Sequence, residues 1–329
     1  MIEAIYLLVG LLLILFAAEA FTNGIEVLGH RFSLSQAVVG SILAAVGTAL
    51  PETVLPLISI FLHGGRYGKE IGIGAILGAP FMLSTLAFFL VGITVLINFI
   101  RHKRAFELNV EWKTMTRDLL FFLGMYSIAV ISSFLPKATH PAIALLLLFC
   151  YGIYVYRTMR GESAEMHPAE GLYLGKIFKR PPELLQIITQ IIVSVIIMVT
   201  GGRLFINSLE SLSLSLGMDP MLFSLLLAPV ATELPEKFNS VSWTWKGKDI
   251  LATGNITGAM VFQATFPVSI GLMFTSWNLS FMALFSALLA LCSTAIALGE
   301  LLIRHKLSPS TIILGGVFYI SYAVIIILR

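Results

Sequence analysis

About ten stretches of the chain are apolar enough and long enough to cross a bilayer, each near the roughly 20 residues that a helical span requires. They fall at about residues 2–21, 35–62, 71–98, 118–135, 140–157, 184–206, 216–242, 250–275, 279–303 and 309–328. Several are longer than a straight crossing needs and contain Pro or Gly, which predicts helices that are tilted or broken. Composition agrees: 57% apolar residues, 12% charged residues and a mean hydropathy of +0.93 lie far outside the range of soluble domains. The chain reads as an all-α integral membrane protein whose first partner is the lipid bilayer.

Lys and Arg set the expected orientation. The loops after the first, third, fifth, seventh and ninth stretches hold most of them, including Arg101, Lys103, Arg104, Lys113, Arg117, Arg157, Lys176, Lys246 and Lys248. The other face has only Arg66, Lys69, Lys137 and Arg329. By the positive-inside rule the first set is cytoplasmic, and both termini lie outside a cell membrane crossed many times. These basic residues read as topology determinants and lipid headgroup contacts, and a net charge of +3 gives no reason to expect a nucleic-acid partner. Ala18-Glu19-Ala20 has the form of a signal cleavage site, but Met1-Ile2-Glu3 lacks the basic leader such a signal needs, so the first stretch is read as a span. Cys150 and Cys292 stand in apolar runs and are expected as buried packing residues.

Two of the stretches share a phrase. Gly47-Thr48-Ala49-Leu50-Pro51-Glu52 recurs farther along the chain as Ala231-Thr232-Glu233-Leu234-Pro235-Glu236. In the register that pairs Glu52 with Glu236, Phe21, Asn23 and Glu26 match Phe205, Asn207 and Glu210. Further on, in a register shifted by a slightly shorter loop, Gly74, Ile76, Gly78 and Ala79 match Gly254, Ile256, Gly258 and Ala259. Each half then holds five spans, and an odd number makes the second half enter the membrane from the opposite side. This is the inverted repeat from which transporters build a midplane site out of discontinuous helices. The expected division is residues 1–157, a cytoplasmic linker at 158–183, and residues 184–329, with helices 2, 3, 7 and 8 broken around the site.

A carboxylate at membrane depth costs at least ~2.5 kcal/mol near a helix centre and usually faces an ion or substrate path. Proline adds oxygens: lacking an N–H, Pro51 leaves the carbonyl of Gly47 without its helical donor, and Pro235 does the same to Ala231. Thr48 and Thr232 supply hydroxyls one turn earlier, and Glu52 and Glu236 follow each proline. Carboxylates, carbonyls and hydroxyls suit hard cations such as Ca²⁺, and none of the six His lies near the phrase to favour zinc or copper. A single copy would equally suit an ordinary proline kink, whereas two inverted copies favour a shared cation site. Gly74/Gly78 and Gly254/Gly258 read as close-packing faces that bring the third and eighth spans against the second and seventh.

On these residues the chain resembles the sodium/calcium exchanger family of the calcium:cation antiporter superfamily. That family's two repeats carry Gly-Thr-Ser-Leu-Pro-Glu, each followed in the next helix by Gly-Ser-Asn. The resemblance implies a ten-helix, five-plus-five fold, Glu52 and Glu236 as the principal cation carboxylates, and alternating access in which the first and sixth helices slide against the rest. It also marks departures. Ala49 and Glu233 replace the family's Ser. The third span has Gly78-Ala79-Pro80 where the family has Gly-Ser-Asn and Leu83 where a further Asn is expected, and the eighth keeps only Asn255 and Gln263 as further ligands. Glu233 and Lys237 stand four apart, either as an ammonium occupying a sodium position or as a pair neutralised away from the ions. Glu19 and Arg203, at matching positions, are either a gate pair or neighbours of the interface.

The reading is a secondary active antiporter, Ca²⁺ against Na⁺, with no resident cofactor. The alternatives are H⁺-coupled divalent cation exchange, or an exchanger-like protein that has lost transport or moved to another cation. A passive channel fits broken midplane helices less well. No His-Glu-x-x-His or Asp-rich pair supports an enzyme. The segment from Arg101 to Arg117 alternates apolar and charged residues and is read as an interfacial helix, although strict alternation is a strand period.

Overall fold

The computed structural model describes residues 2–31, 50–161, 172–173 and 183–328. These are almost wholly helical, and no strand occurs among them. The first half comprises α1 (Ile2–Arg31), α2 (Leu50–Leu57, continued by a wider π-helical turn over Ile58–His63), α3, α4 (Trp112–Ile131) and α5 (His140–Gly161). α3 runs from Gly65 to Ile100 and widens to π turns at Leu83–Ala87. The second half comprises α6 (Leu184–Ser215), α7 (Pro220–Trp245), α8 (Asp249–Gln263, resuming as Phe266–Phe274), α9 (Phe281–Arg304) and α10 (Pro309–Leu328). Among the described residues eight helices are long and apolar enough to cross a membrane, and Pro51–His63 and Pro220–Glu233 are shorter apolar helices.

The expected breaks come out differently in each helix. α7 is continuous through Pro229 and Pro235, because one proline removes one hydrogen bond and leaves the rest of the ladder intact. α3 is likewise continuous through Pro80 and relieves its strain in the π turns that follow. α8 does break, at Ala264–Thr265, with Pro267 opening the second piece. The span expected at 35–62 is described only from Leu50 onward, so its first half lies outside the described residues.

Two further expectations are corrected. Residues 101–111 form a loop with no interfacial helix. Leu108 makes an isolated antiparallel bridge to Leu307, and Arg104 clamps the loop to the Asp249 carboxylate at 2.9 Å. That bond holds the Arg104 guanidinium above its ordinary pKa range. Cys292 is exposed and Cys150 half-buried. An apolar run in a membrane helix need not be buried, because its outer face meets lipid.

Small residues set the closest packing. α1 lies along α6, where a Cβ added to Gly10 would fall 2.7 Å from the Phe205 backbone nitrogen. α3 lies along α7, where a Cβ on Gly74 would sit 2.2 Å from the Met221 carbonyl and one on Gly78 2.1 Å from that of Leu225. The largest buried cluster surrounds α3 and α8. It includes Phe81, Tyr126 and Tyr322, and Trp277, whose indole N–H donates to the Ala129 carbonyl at 2.9 Å. The lipid-facing surface presents Leu8, Leu12, Phe16, Leu145, Phe149 and Ile196.

Candidate functional site

The α3–α7 contact holds the second copy of the repeated phrase in the interior. Ala231, Thr232, Glu233 and Lys237 are all buried on α7, and the last two are each 1% exposed. The Thr232 hydroxyl donates to the Ala228 carbonyl at 3.0 Å, which fixes the rotamer and leaves its oxygen lone pairs as acceptors. Pro235 has no N–H to offer the Ala231 carbonyl, so that acceptor lacks its usual helical donor one residue from Thr232.

The break in α8 supplies the facing group. Gln263 ends the first piece, is buried, and donates its amide to Glu233 Oε1 at 3.2 Å. The other carboxylate oxygen of Glu233 faces Lys237 Nζ at 3.6 Å. Among the described residues that ammonium makes no hydrogen bond. Glu52 is also buried, in the first described turn of α2, a helix that packs on α7.

The residues expected to act together thus separate into groups. Glu233 and Gln263 meet, beside Ala231 and Thr232. Asn255 instead donates to Ser240 Oγ at 3.2 Å, farther along α7. Gly47 and Thr48 lie outside the described residues, and Glu236 belongs to α7 with its side chain outside the description. Among the described residues no three of Asp, Glu, His and Cys converge, so a cation held here would draw on carbonyl, amide and hydroxyl oxygens as well as carboxylates. Gly74 and Gly78 do bring α3 against α7. Among the described residues nothing lies within 4 Å of a Cβ built on Gly254 or Gly258.

Several polar groups escaped the sequence reading. Asp118 on α4 is buried and accepts hydrogen bonds from Thr257 Oγ1 at 2.9 Å, Tyr154 Oη at 2.8 Å and Arg117 Nη2 at 3.0 Å. It lines a cavity of about 350 Å³ with Asn255, Gly254 and Gly258. It is the first residue of the stretch expected at 118–135 and adjoins Arg117, so the sequence places it at a loop edge. His63, at the end of α2, bonds Asn207 through Nδ1 at 2.9 Å and Glu210 through Nε2. On α1, Asn23 accepts from the Gln190 amide of α6 at 3.0 Å and from the Tyr173 backbone N–H at 3.1 Å. Repetition had flagged Asn23, Asn207 and Glu210 without giving their partners. Glu19 accepts from the Tyr173 hydroxyl at 3.0 Å, and no Glu19–Arg203 bond forms among the described residues.

Comparison with known proteins adds sequence and fold. The family profile described as sodium/calcium exchanger protein matches residues 2–160 and 187–329. An uncharacterized membrane protein of Methanocaldococcus jannaschii is 22% identical over 276 residues, covering 82% of this chain and 81% of its own. The solved H⁺/Ca²⁺ exchanger CAX superposes with a TM-score of 0.69 at 17% identity, covering 98% of this chain and 82% of that one. A sodium–calcium exchanger solved without Na⁺ and Ca²⁺ gives 0.55 at 20% identity, covering 99% of both chains. At these identities the two structures share the fold.

Proposed function

Because the chain belongs to the sodium/calcium exchanger family, we propose that it is a secondary active antiporter that moves Ca²⁺ against Na⁺ by alternating access. The observation that carries this reading is the buried group on α7 and α8. The buried Glu233 carboxylate is bonded to the Gln263 amide at the break in α8, and Ala231 and Thr232 precede Glu233 on α7. Glu52 and Glu236 are the principal carboxylates in this proposal, Thr48 and Gly47 complete the first copy, and Asn255 serves the cytoplasmic approach. The close α1–α6 pair is the sliding unit, and the halves 1–157 and 184–329 are inverted about it. Both termini lie outside, and 158–183 is a cytoplasmic linker.

One observation favours a second reading, H⁺ as the coupling ion. Ala79, Pro80 and Leu83 are buried and apolar where the family pattern has a hydroxyl and two amides. α3 therefore offers few oxygens for Na⁺, while a buried carboxylate can trade a metal for protons.

The test is Ca²⁺ flux in proteoliposomes driven separately by a Na⁺ gradient and by a H⁺ gradient, for wild type and Glu52→Gln. Na⁺-driven flux lost in the variant supports the proposal. Flux under the H⁺ gradient alone reassigns the coupling ion, and no flux under either means the chain has lost exchange or carries another cation.

A further inference from the structure

We infer that Lys237 is a built-in monovalent cation of the exchange site, its ammonium standing beside Glu233 where a coupling ion would otherwise bind. The inference rests on the exchanger reading and concerns how many ions that site takes.

Glu233 and Lys237 are one helical turn apart on α7, and both are 1% exposed. A buried ion pair adds little stability unless its remaining donors and acceptors are bonded, since desolvation of the two charges rivals their attraction. Here the ammonium, with three N–H donors, makes no hydrogen bond among the described residues, and it lies 3.6 Å from Glu233 Oε2. Its charged partner is that carboxylate, the kind of group a bound cation takes. The carboxylate is also bonded from the other side by Gln263, the last residue before the α8 break.

The repeat sharpens the point. In the register that pairs Glu52 with Glu236, Glu233 corresponds to Ala49 and Lys237 to Thr53. The first half has neutral side chains at both places. The second half has gained a carboxylate and a matching ammonium together, so the site's net charge is unchanged while one cation position is filled by the chain. A mobile Na⁺ beside that ammonium would meet like charge at close range, and the carboxylate that would attract it is already paired. Each exchange cycle then couples one monovalent ion fewer than the same site would without Lys237.

The experiment is equilibrium binding of radiolabelled Ca²⁺ to the purified full-length protein at increasing Na⁺, using wild type, Lys237→Arg, Lys237→Thr and Glu233→Gln. The slope of log apparent Ca²⁺ affinity against log Na⁺ concentration counts the Na⁺ ions that displace Ca²⁺. Lys237→Thr is expected to steepen the slope by about one ion, and Lys237→Arg, which keeps the charge, to leave it unchanged. Glu233→Gln leaves the ammonium uncompensated beside the ions and is expected to weaken Ca²⁺ binding at least about tenfold. A cooperative thermal melt establishes that each variant is folded. Equal slopes in wild type and Lys237→Thr, or unchanged Ca²⁺ affinity in Glu233→Gln, overturn the inference and leave the exchanger reading standing. Loss of folding in both Lys237→Thr and Glu233→Gln makes the pair structural and overturns it as well. A wild type with no Na⁺-displaced Ca²⁺ binding overturns the Na⁺/Ca²⁺ reading, and this inference with it.

Discussion

α3 and α8 occupy corresponding places in the two halves, yet one widens where the other breaks. In the register that pairs Gly78 with Gly258, Thr85 answers to Thr265, and each hydroxyl donates to the carbonyl one turn earlier, that of Phe81 and of Val261. Around Thr85 the helix passes through π turns at Leu83–Ala87 and continues. Around Thr265 it stops at Gln263 and restarts at Phe266. Two differences account for this. Ala87 is replaced by Pro267, which has no N–H for the Gln263 carbonyl and so cannot carry the hydrogen-bond ladder of the first piece across the gap. Leu83, wholly buried in apolar surroundings, is replaced by Gln263, whose amide reaches across to Glu233. In this register the two helices share the hydroxyl of Thr85 and Thr265, while the amide is present at Gln263 and absent at Leu83.

Variants of these residues break or sharpen that comparison. The largest effect is expected from the glycines. Gly78→Ala puts a methyl 2.1 Å from the Leu225 carbonyl and 2.6 Å from Pro229 Cγ, so α3 and α7 have to part. A loss of about 3 kcal/mol is expected, at the upper end for overpacking because the nearest atom is backbone. The corresponding Gly258→Ala meets nothing within 4 Å among the described residues and is expected to be neutral or to gain up to ~1 kcal/mol of helix propensity. Melting temperatures of the two variants in one detergent give the contrast directly, and equal losses would mean the two helices are packed alike.

Next comes the amide. Gln263→Leu copies the first half into the second and leaves Glu233 Oε1 without its donor, at an expected cost of about 2 kcal/mol, the usual penalty for a buried acceptor stripped of its partner. It should also weaken Ca²⁺ binding, whereas a Gln263→Glu variant, which keeps an oxygen there, should retain it. Smaller again is Pro267→Ala. It returns an N–H to the Gln263 carbonyl and is expected to stabilise the fold by about 1 kcal/mol, the net worth of one hydrogen bond. If the break serves transport, the same variant slows Ca²⁺ flux although it melts higher. Unchanged flux would assign the break to packing alone.

What the sequence made legible follows the reach of each physical signal. Apolar runs are local, and the helices starting at His140, Leu184 and Pro309 begin where the apolar periodicity does. Proline was harder, because its missing N–H is local but the response depends on the neighbours. α7 runs on through Pro235, while α8 stops and restarts just before Pro267. Partner choice was not legible at all. Asn255 turns to Ser240, Asn23 to Gln190 and His63 to Asn207 across 144 positions, and each choice depends on packing angles that no single stretch encodes. Asp118 went unnoticed because it adjoins Arg117 and reads as the edge of a loop, although the fold buries it against Tyr154 and Thr257.

The smallest expected effect lies at the start of the fourth and ninth helices, which again correspond between the halves. α4 is capped by a carboxylate, Glu111, which accepts from the Thr114 backbone N–H at 2.8 Å, and α9 by a hydroxyl, Ser280, which accepts from that of Ala283 at 3.2 Å. The Thr114 bond holds the Glu111 carboxyl below its ordinary value. A carboxyl depressed in the folded state contributes stability above its unfolded pKa and loses it as the pH falls through the lower, folded one. The cap on α4 should therefore weaken on acidification while that on α9 does not. Because Glu111 is exposed, the difference is expected to be only a few tenths of a kcal/mol. Glu111→Ser makes the two caps alike. Melting profiles at about pH 7 and about pH 4 should show a smaller acid-induced drop in the variant than in the wild type. Identical drops would mean that the acid sensitivity of the fold comes from other carboxylates.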